Sequence, residues 1–411
     1  MRSFITISSL VSAVLAAEPW LEEPDTGLVN YLASTNYTEN SLPLLKDMRA
    51  IPDFDWAAEA YLGDQQYAFY RTAAAGEWSY RNNLDIWAKI KFRTRMLNDV
   101  SRLNETLPVI FMGYNFSAPI FIAPAARGVY GDERAELNFV DAAASENILY
   151  TASIYASKSI EELGAQKHND TMNGPQVAFQ QIYGNSNESV IWEQIARAEA
   201  QNAKAFVFTI DAPATSTRHR AARYDTTNAN AATGALTWDL YDRIKNRTKL
   251  PVIPKGITTV DDALVAIEKG APAIYISNHG GRQLDHSPSP LEIAHEIYKN
   301  APEVFTKVDV MADSGVRYGT DVLKLLAFGV KMVGMGRPFM FANCYGLEGV
   351  TKLIQIMKNE IVSDGAQAGI TDLRNVAPKI FNTRALDNTV YLMDDEEIEV
   401  KNRVIANTKK H

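Results

Sequence analysis

From residue 119 onward the chain repeats one pattern, a short apolar run followed by a longer segment with helical spacing. The apolar runs cover residues 119–126, 147–153, 177–183, 205–213, 250–256, 273–280, 309–315 and 331–337. Helix-like segments between them cover residues 133–146, 160–166, 189–201, 259–269, 291–299 and 321–328. Eight strands alternating with helices predict an α/β fold, the (β/α)8 TIM barrel. A doubly wound sheet is the alternative, but no Gly-x-Gly-x-x-Gly opens a helix after the first strand, which disfavours a dinucleotide site.

The length of 411 residues allows one large domain, which we expect over residues 18–411 with the barrel strands at about 119–337. Residues 18–64 have no clear repeat and are interpreted as an N-terminal cover, followed by a helix-like segment at 65–75. The tail after about residue 364 carries the acidic run 394–397 and is interpreted as a solvated C-terminal extension or an arm packing on a neighbour. The net charge of −8 provides no basic footprint for nucleic acid.

Residues 1–17 have the layout of a secretory signal peptide. Arg2 precedes an apolar segment that is too short to span a bilayer, and small residues at 14–17 form cleavage patterns. A buried helix or a frayed start is the alternative. Six sequons also favour export, and their candidate glycosylation sites are Asn36, Asn104, Asn115, Asn169, Asn187 and Asn246. Cys344 is the only cysteine, so no internal disulfide can form. We therefore expect a secreted, extracellular protein without a membrane span.

Nearly every predicted strand ends in residues that are useful for chemistry. In a barrel these ends meet on one face, where active sites lie. The residues are Pro124, Ala125, Ala126, Ser153, Tyr155, Gln181, Tyr183, Thr209, Asp211, Arg218, Lys255, Ser277, His279, Arg282, Asp313, Gly315, Arg317, Gly336 and Arg337. After strands seven and eight, glycine N–H groups stand beside two arginines, which predicts a phosphate site.

The densest of these strand ends is the run from Ser277 to Asp285, Ser-Asn-His-Gly-Gly-Arg-Gln-Leu-Asp. His279 can exchange protons near neutral pH, the two glycines let the backbone approach a ligand, and Arg282 offers a planar fork for a carboxylate. The run resembles the signature of the FMN-dependent α-hydroxy acid oxidase and dehydrogenase family, which includes glycolate oxidase, lactate oxidase, mandelate dehydrogenase and the flavocytochrome lactate dehydrogenases. The resemblance continues in order from about Phe69 to Arg337.

The resemblance implies FMN as the cofactor and no metal. The residues that match flavin-binding positions are Pro124, Ala125, Ala126, Ser153, Gln181, Thr209, Lys255, Ser277, Asp313, Gly315, Arg317, Gly336 and Arg337. Catalytic roles are implied for His279 as the base, for Asp211 as its carboxylate partner and for Lys255 beside the flavin N1 and C2 carbonyl. Substrate contacts are implied for Arg218, Arg282, Tyr183, Tyr155 and Phe69, with the substrate carboxylate between the two arginines.

Three departures from the family pattern bear on the substrate. Phe69 stands where the family has a tyrosine that bonds the carboxylate, so that hydroxyl is missing unless Tyr67 or Tyr70 replaces it. Ala125 replaces a threonine beside the flavin, and Tyr155 replaces a tryptophan of glycolate oxidase. The connection from Arg218 to Lys255 is short, with residues 226–233 rich in Ala, Asn and Thr, which suggests an open mouth. We expect a medium or large 2-hydroxy acid to be a better substrate than glycolate.

The function implied by the resemblance is oxidation of (S)-2-hydroxy acids to 2-oxo acids, with oxygen reoxidising the flavin and forming hydrogen peroxide. Two alternatives stay open, a dehydrogenase of the same family with a non-oxygen acceptor and a flavin-binding protein with little hydroxy-acid activity. Hydride and carbanion routes also stay open. The expected partners are the hydroxy acid and oxygen, and the oligomeric state is left open, with a homo-oligomer as one option.

Overall fold

Eight parallel strands close into a barrel in the computed structural model, which describes residues 26–224 and 234–407. The strands, here β1 to β8, are Ile120–Ile122, Leu149–Ala152, Ala178–Tyr183, Phe206–Thr209, Val252–Ile257, Ala273–Ile276, Asp309–Asp313 and Met332–Met335. Each pairs with the next along the chain, and β8 pairs with β1. The predicted barrel is confirmed, and the doubly wound alternative is wrong. The predicted signal peptide at residues 1–17 and the polar segment at 226–233 lie outside the described residues.

The α-helices of the described ranges are α1 to α16 in chain order. Their bounds are Leu28–Ala33, Ile51–Tyr61, Asp64–Arg71, Trp78–Asp85, Leu137–Ser145, Ile160–Gln166, Glu188–Ala200, His219–Arg223, Trp238–Arg247, Val260–Glu268, Pro290–Asn300, Val304–Lys307, Gly319–Ala327, Arg337–Ala342, Gly346–Ala368 and Asp395–Asn407. Local chemistry sets several helix starts, because Ser159, Thr259 and Ser289 each accept a hydrogen bond from the third amide of the helix that follows. None of the helices in the described ranges combines the length and apolarity needed to span a membrane.

Apolar side chains fill the barrel interior, and a hairpin closes its N-terminal end. The short strands Val109–Phe111 and Tyr114–Phe116 pair antiparallel, and Phe111 and Phe116 belong to the same buried cluster as the inward-facing Phe121 and Phe179. A second, larger cluster lies between the strands and the surrounding helices. The interior is therefore packed from below, and the carboxyl ends of the strands are the end available for a cavity.

The N-terminal residues cover the carboxyl ends of the strands, as expected. Helix α2 packs on α14, and α4 packs on the one-turn 3-10 helix His279–Gly281 that follows β6. The fit at this turn is close, because a Cβ placed on Gly281 would lie 2.8 Å from the backbone nitrogen of Tyr80. Backbone hydrogen bonds from Ala74 to Gly281 and from Ala75 to Thr217 fasten the cover. This arrangement brings α3 and α4 to the edge of the cavity.

The tail after residue 364 packs on the barrel of its own chain, so its interpretation as a solvated extension is wrong. Phe381–Asn382 pairs antiparallel with Lys91–Phe92, and α16 lies against α10. Asp387 contacts His295 at 2.7 Å, and Lys401 contacts Glu303 at 3.7 Å. The acidic run at 394–397 stays at the surface, where only the neighbouring Met393 is buried against the barrel. The acidic run therefore predicted the exposure of its own side chains but not the packing of the rest of the tail.

Candidate active site

A cavity of about 1010 Å³, including its open mouth, lies at the carboxyl ends of the strands. Most of the residues expected at a site line it, namely Phe69, Pro124, Ala125, Ala126, Ser153, Tyr155, Gln181, Tyr183, Thr209, Lys255, His279, Arg282, Asp313, Gly315, Arg317, Gly336 and Arg337. Three expected residues, Asp211, Arg218 and Ser277, lie behind this wall and contact residues that form it. The strand ends thus converge on one cavity, and the other three residues contact its wall from behind.

His279 lies between a carboxylate and a phenol. Its Nδ1 is 2.8 Å from Oδ1 of Asp211, and its Nε2 is 3.3 Å from the hydroxyl of Tyr183. A carboxylate only accepts, so Nδ1 carries the proton and Nε2 presents its lone pair toward the cavity. The backbone of His279 has φ 58, and Gly280 follows with φ 66, which turns the chain sharply after β6. This turn points the imidazole into the site.

The electrostatic surroundings keep His279 neutral and Asp211 charged. Burial lowers the pKa of His279, Asp211 opposes that shift, and Lys255 adds to it, so the pKa lies below its ordinary value. Burial alone would raise the pKa of Asp211, but the facing His279 and Lys255 outweigh it, and the pKa of this carboxyl is lowered. At neutral pH the pair is therefore an ionised carboxylate beside a neutral imidazole, which is the arrangement of a general base.

Lys255, near the carboxyl end of β5, belongs to a buried polar network. Its Nζ donates to the hydroxyl of Ser277 at 2.9 Å, and the same hydroxyl donates to Asp313 at 2.6 Å. Asp313 also accepts from Tyr275 at 2.6 Å and from Ser314 at 2.9 Å. The ammonium group lies 3.9 Å from Asp313, so the network neutralises it in part and fixes its position on the cavity wall.

Gln181 on β3 orders the neighbouring part of the wall. Its Nε2 donates to Thr209 at 2.9 Å, and its Oε1 accepts from the backbone N–H of Ile154 at 3.2 Å. The Ser153 hydroxyl also contacts Oε1, at 3.4 Å. Amide and hydroxyl groups that are fixed in this way can recognise the polar edge of a planar ligand.

Two arginines at the cavity bond to the end of the helical cover. Nη1 of Arg282 donates to the carbonyls of Phe69 at 3.0 Å and Thr72 at 2.9 Å. Nε and Nη2 of Arg337 donate to the carbonyls of Tyr70 and Thr72, both at 2.9 Å. Burial, followed by repulsion from other arginines, lowers the pKa of Arg282 well below its ordinary value, and burial lowers that of Arg337 to about 10. The site concentrates positive charge that suits anionic ligands.

Arg218 is not brought to the cavity wall. It is 2% exposed, its Nε donates to the carbonyl of Arg282 at 2.9 Å, and an Nη donates to Gln283 at 3.0 Å. Burial, with repulsion from Arg337, lowers the pKa of Arg218 to about 10. The expected position of a substrate carboxylate between Arg218 and Arg282 therefore stays a prediction, while Arg282 itself reaches the cavity.

Neither neighbouring tyrosine replaces the hydroxyl that Phe69 lacks. The hydroxyl of Tyr67 contacts Asp55 at 3.2 Å, and that of Tyr70 donates to the carbonyl of Arg127 at 2.7 Å. The Phe69 ring instead faces the guanidinium of Arg127, with Cζ 4.6 Å from the ring centroid. Phe69 therefore lines the cavity with an apolar ring, and Arg127 packs against that ring.

Several residues of the site were not anticipated. Tyr80 and Asn83 on α4 line the cavity, and the two amides of Asn83 and Asn278 bond each other at 2.8 and 2.9 Å. Ser314 accepts from the N–H of Gly280 at 2.9 Å. Strand ends do not predict the contribution of α4, because a helix of the cover reaches the site only through tertiary packing. Asn278, inside the run from Ser277 to Asp285, was the available signal.

Comparisons with known proteins agree with this geometry. Residues 58–233 and 222–383 match the family described as FMN-dependent dehydrogenase. The chain belongs to this family. It is similar to the cytochrome L-lactate dehydrogenase of Wickerhamomyces anomalus, with 32% identity over 370 residues, and to the glycolate oxidase 3 of Arabidopsis thaliana, with 30% identity over 357 residues. The matches cover 84% and 80% of this chain, and 63% and 94% of the respective relatives. The chain thus spans less than two thirds of the cytochrome-linked relative.

Solved structures of the FMN-dependent dehydrogenase family share the fold. The recombinant flavin-binding domain of baker's yeast flavocytochrome b2 superposes with a TM-score of 0.78 at 29% identity, covering 87% of this chain and 92% of that one. A mandelate oxidase variant with 2-hydroxy-phenylacetamide superposes with a TM-score of 0.73 at 29% identity, covering 81% and 98%. The barrel and its helical cover are therefore those of an FMN domain, and the cofactor is FMN.

The residues at the ends of β7 and β8 fit the FMN phosphate. Gly336 borders the cavity, and a Cβ added to it would meet no atom within 4 Å, so its backbone faces open space. Gly315 has φ +81 and abuts the carbonyl of Asn83, where a Cβ would clash at 2.0 Å. Arg317 and Arg337 supply the positive charge. Lys255 and the amide of Gln181, on other walls, suit the carbonyls of the flavin ring.

Proposed function

We propose that this protein oxidises (S)-2-hydroxy acids to 2-oxo acids with FMN, that oxygen reoxidises the cofactor with formation of hydrogen peroxide, and that the protein works outside the cell. The observation that carries the reaction is the neutral His279, with Asp211 bonded to Nδ1 and Nε2 turned toward a cavity that also holds Arg282. A base beside a carboxylate-binding cation is what a 2-hydroxy acid needs in order to lose a proton in a fixed orientation.

Each side chain of the site has a separate role in the proposed reaction. Arg282 binds the substrate carboxylate, and the hydroxyl of Tyr183 orients the substrate beside Nε2 of His279. His279 accepts the proton at Nε2, and Asp211 stabilises the imidazolium that results. FMN, when bound, supplies the two-electron acceptor, and the Lys255 ammonium group provides positive charge on the wall where negative charge develops.

Likeness to named relatives supports both the substrate class and the oxidase form. A peroxisomal (S)-2-hydroxyacid oxidase of Arabidopsis thaliana is 31% identical over 353 residues, and the match covers 94% of its length. The glycolate oxidases support oxygen as the acceptor. Likeness to the cytochrome L-lactate dehydrogenases favours the second candidate, a dehydrogenase that reduces another acceptor.

Flavin bleaching tests the reaction. The purified FMN protein is mixed without oxygen with (S)-2-hydroxy acids of increasing size, and the loss of flavin absorbance is followed. We expect bleaching by at least one acid, and a His279→Gln variant that keeps FMN but bleaches roughly 10²–10⁴-fold more slowly. A flavin that no hydroxy acid bleaches contradicts the proposal.

Oxygen is then admitted to separate the two acceptor classes. Rapid recovery of the flavin colour with stoichiometric peroxide supports the oxidase. Slow recovery with oxygen but fast recovery with a cytochrome or quinone supports the dehydrogenase.

The extracellular location is proposed from the signal-like residues 1–17 and the six sequons. All six asparagines, Asn36, Asn104, Asn115, Asn169, Asn187 and Asn246, are exposed, so glycans can be accommodated. Expression of the full chain in its native type of host should place the protein in the medium, with a mass that falls after peptide-N-glycosidase treatment. Protein that stays inside the cell and keeps its initiator methionine would refute this location.

A further inference from the structure

Tyr80 belongs to the helical cover, yet it lines the cavity beside the residues that fit the FMN phosphate. It lies on α4 and is 2% exposed. The same segment of the cover is fastened to the loop after β7. Asn83 abuts Gly315 there, and Nε1 of Trp87 donates to the carbonyl of Gly315 at 3.1 Å. Tyr80 is therefore held against the phosphate end of the cavity by the packing of the cover.

Tyr80 contacts both arginines of the phosphate site. Its hydroxyl accepts a hydrogen bond from Nη2 of Arg317 at 3.5 Å, and Cζ of Arg337 lies 4.7 Å from the centroid of its ring. A cation near the face of an aromatic ring is attracted to it, and this attraction restricts the guanidinium. Arg317 follows β7 and Arg337 follows β8, so one side chain of the cover links two separate strand ends.

The cations around Tyr80 differ in how their charge is balanced. Cζ of the fully buried Arg71 lies 4.0 Å from the same ring centroid, and Arg71 pairs with Glu77 at 3.5 Å. Arg337 instead donates to backbone carbonyls, through Nε, Nη1 and Nη2. Among the described residues these bonds use three of the five N–H groups of a guanidinium, and carbonyls carry no net charge. Arg337 can therefore still bind an anion.

We propose that Tyr80 is a positioning residue for the phosphate of FMN. Its hydroxyl holds Arg317 and its ring holds Arg337, so that both guanidinium groups are set for one phosphate before the cofactor arrives. Such positioning increases affinity, because a long side chain that is already fixed loses less rotamer freedom on binding. The preference for FMN over riboflavin, which lacks only the phosphate, then depends on Tyr80. Flavin binding needs no hydroxy acid, so this role and the proposed oxidation can fail separately.

Competition between FMN and riboflavin isolates the contribution of the phosphate. The purified FMN protein is equilibrated with mixtures of the two flavins and separated from free flavin by gel filtration, and the bound flavins are quantified by chromatography. The bound fractions give the ratio of the two affinities. We expect the parent protein to prefer FMN by about 100-fold or more, because the phosphate makes several hydrogen bonds to charged groups.

Three variants separate the hydroxyl, the ring and general packing. Tyr80→Phe keeps the ring but loses the contact with Arg317, and it should lower the preference for FMN by roughly 3- to 10-fold, since that hydrogen bond is long. Tyr80→Leu loses both contacts and should lower the preference by roughly 10- to 100-fold. Tyr241→Phe is the control. It removes a hydroxyl from a buried tyrosine that bonds the carbonyl of Val252 at 2.9 Å and does not line this cavity, so the preference should stay unchanged.

The flavin preference of Tyr80→Phe decides the outcome, including the case in which Tyr80→Leu does not fold. A preference equal to that of the parent protein overturns the inference, whether or not total flavin binding falls, because a packing role weakens both flavins equally. A shift of the same size in Tyr241→Phe also refutes it. A reduced preference for FMN in Tyr80→Phe, with a larger loss in Tyr80→Leu and none in the control, supports it. If no hydroxy acid bleaches the flavin, the proposed oxidation fails and this comparison still stands.

Discussion

Replacing Asp211 by Asn tests the central electrostatic pair directly. The change removes one negative charge and keeps the shape of the side chain. Oδ1 of Asp211 lies 2.8 Å from Nδ1 of His279, and Oδ2 has no hydrogen-bond partner among the described residues. The carboxylate therefore acts mainly on the imidazole. An amide can offer N–H to Nδ1, which would place the ring proton on Nε2 and block the base.

The expected loss of flavin-reduction rate follows from the charged hydrogen bond between Asp211 and His279. A bond of this kind contributes about 1.5–3 kcal/mol, so losing the stabilised imidazolium should slow flavin reduction by roughly 10- to 100-fold. The tautomer change adds to this loss. The pH dependence moves in a defined direction. The base works when His279 is neutral, so activity is lost as the pH falls through the pKa of His279. Because Asp211 raises that pKa against burial, its removal lowers the pKa and shifts the acid limb to lower pH.

Stopped-flow flavin reduction without oxygen, between about pH 5 and pH 9, measures both effects. Asp242→Asn is the control, because Asp242 is a surface carboxylate paired with Lys269 at 2.6 Å, and its loss changes the net charge equally. The reasoning is refuted if Asp211→Asn reduces its flavin at the parent rate or if its acid limb moves to higher pH. The reasoning is supported if the Asp211→Asn variant binds FMN normally, if its flavin is reduced slowly, and if this rate persists to lower pH than in the parent protein.

Other substitutions test the remaining parts of the site. Gly336→Ala should leave the melting temperature of the FMN-free protein unchanged but bind FMN more weakly in a fluorescence titration. Gly315→Ala should fail to fold, because its Cβ would lie 2.0 Å from the carbonyl oxygen of Asn83. Lys255→Met should weaken FMN binding and slow flavin reduction, and a variant reduced at the parent rate would contradict the role of the charge. Phe69→Tyr should raise kcat/KM for glycolate more than for a larger 2-hydroxy acid, and an unchanged ratio would show that the new hydroxyl does not reach the carboxylate.

The sequence pattern predicted the parts of the site that are local to each strand. The eight strand ends and the phosphate-type glycines were found because strand periodicity and turn chemistry are local properties. Except for Phe69, which the family resemblance supplied, side chains that reach the site from the cover were not found, as with the amide of Asn83, which meets Asn278 only after the cover has folded. The packing of the tail was also misjudged, because burial depends on which surfaces pack together.

The distribution of charge explains why this cavity suits a flavin and an acid together. Arg282 and Arg337 donate hydrogen bonds to backbone carbonyls of the cover, and Arg337 also donates to the carbonyl of Gly280. Both arginines have lowered pKa values, so the folded protein holds these charges at a cost. Among the described residues, Asp211 is the only carboxylate bonded to the base. It lies behind His279 and outside the cavity. An anion in the cavity therefore has Arg282, Arg337 and the neutral imidazole of His279 on its walls. Because the Asp211 carboxylate lies on the far side of the base, it can stabilise the protonated imidazole with little repulsion of the substrate, which is also negatively charged.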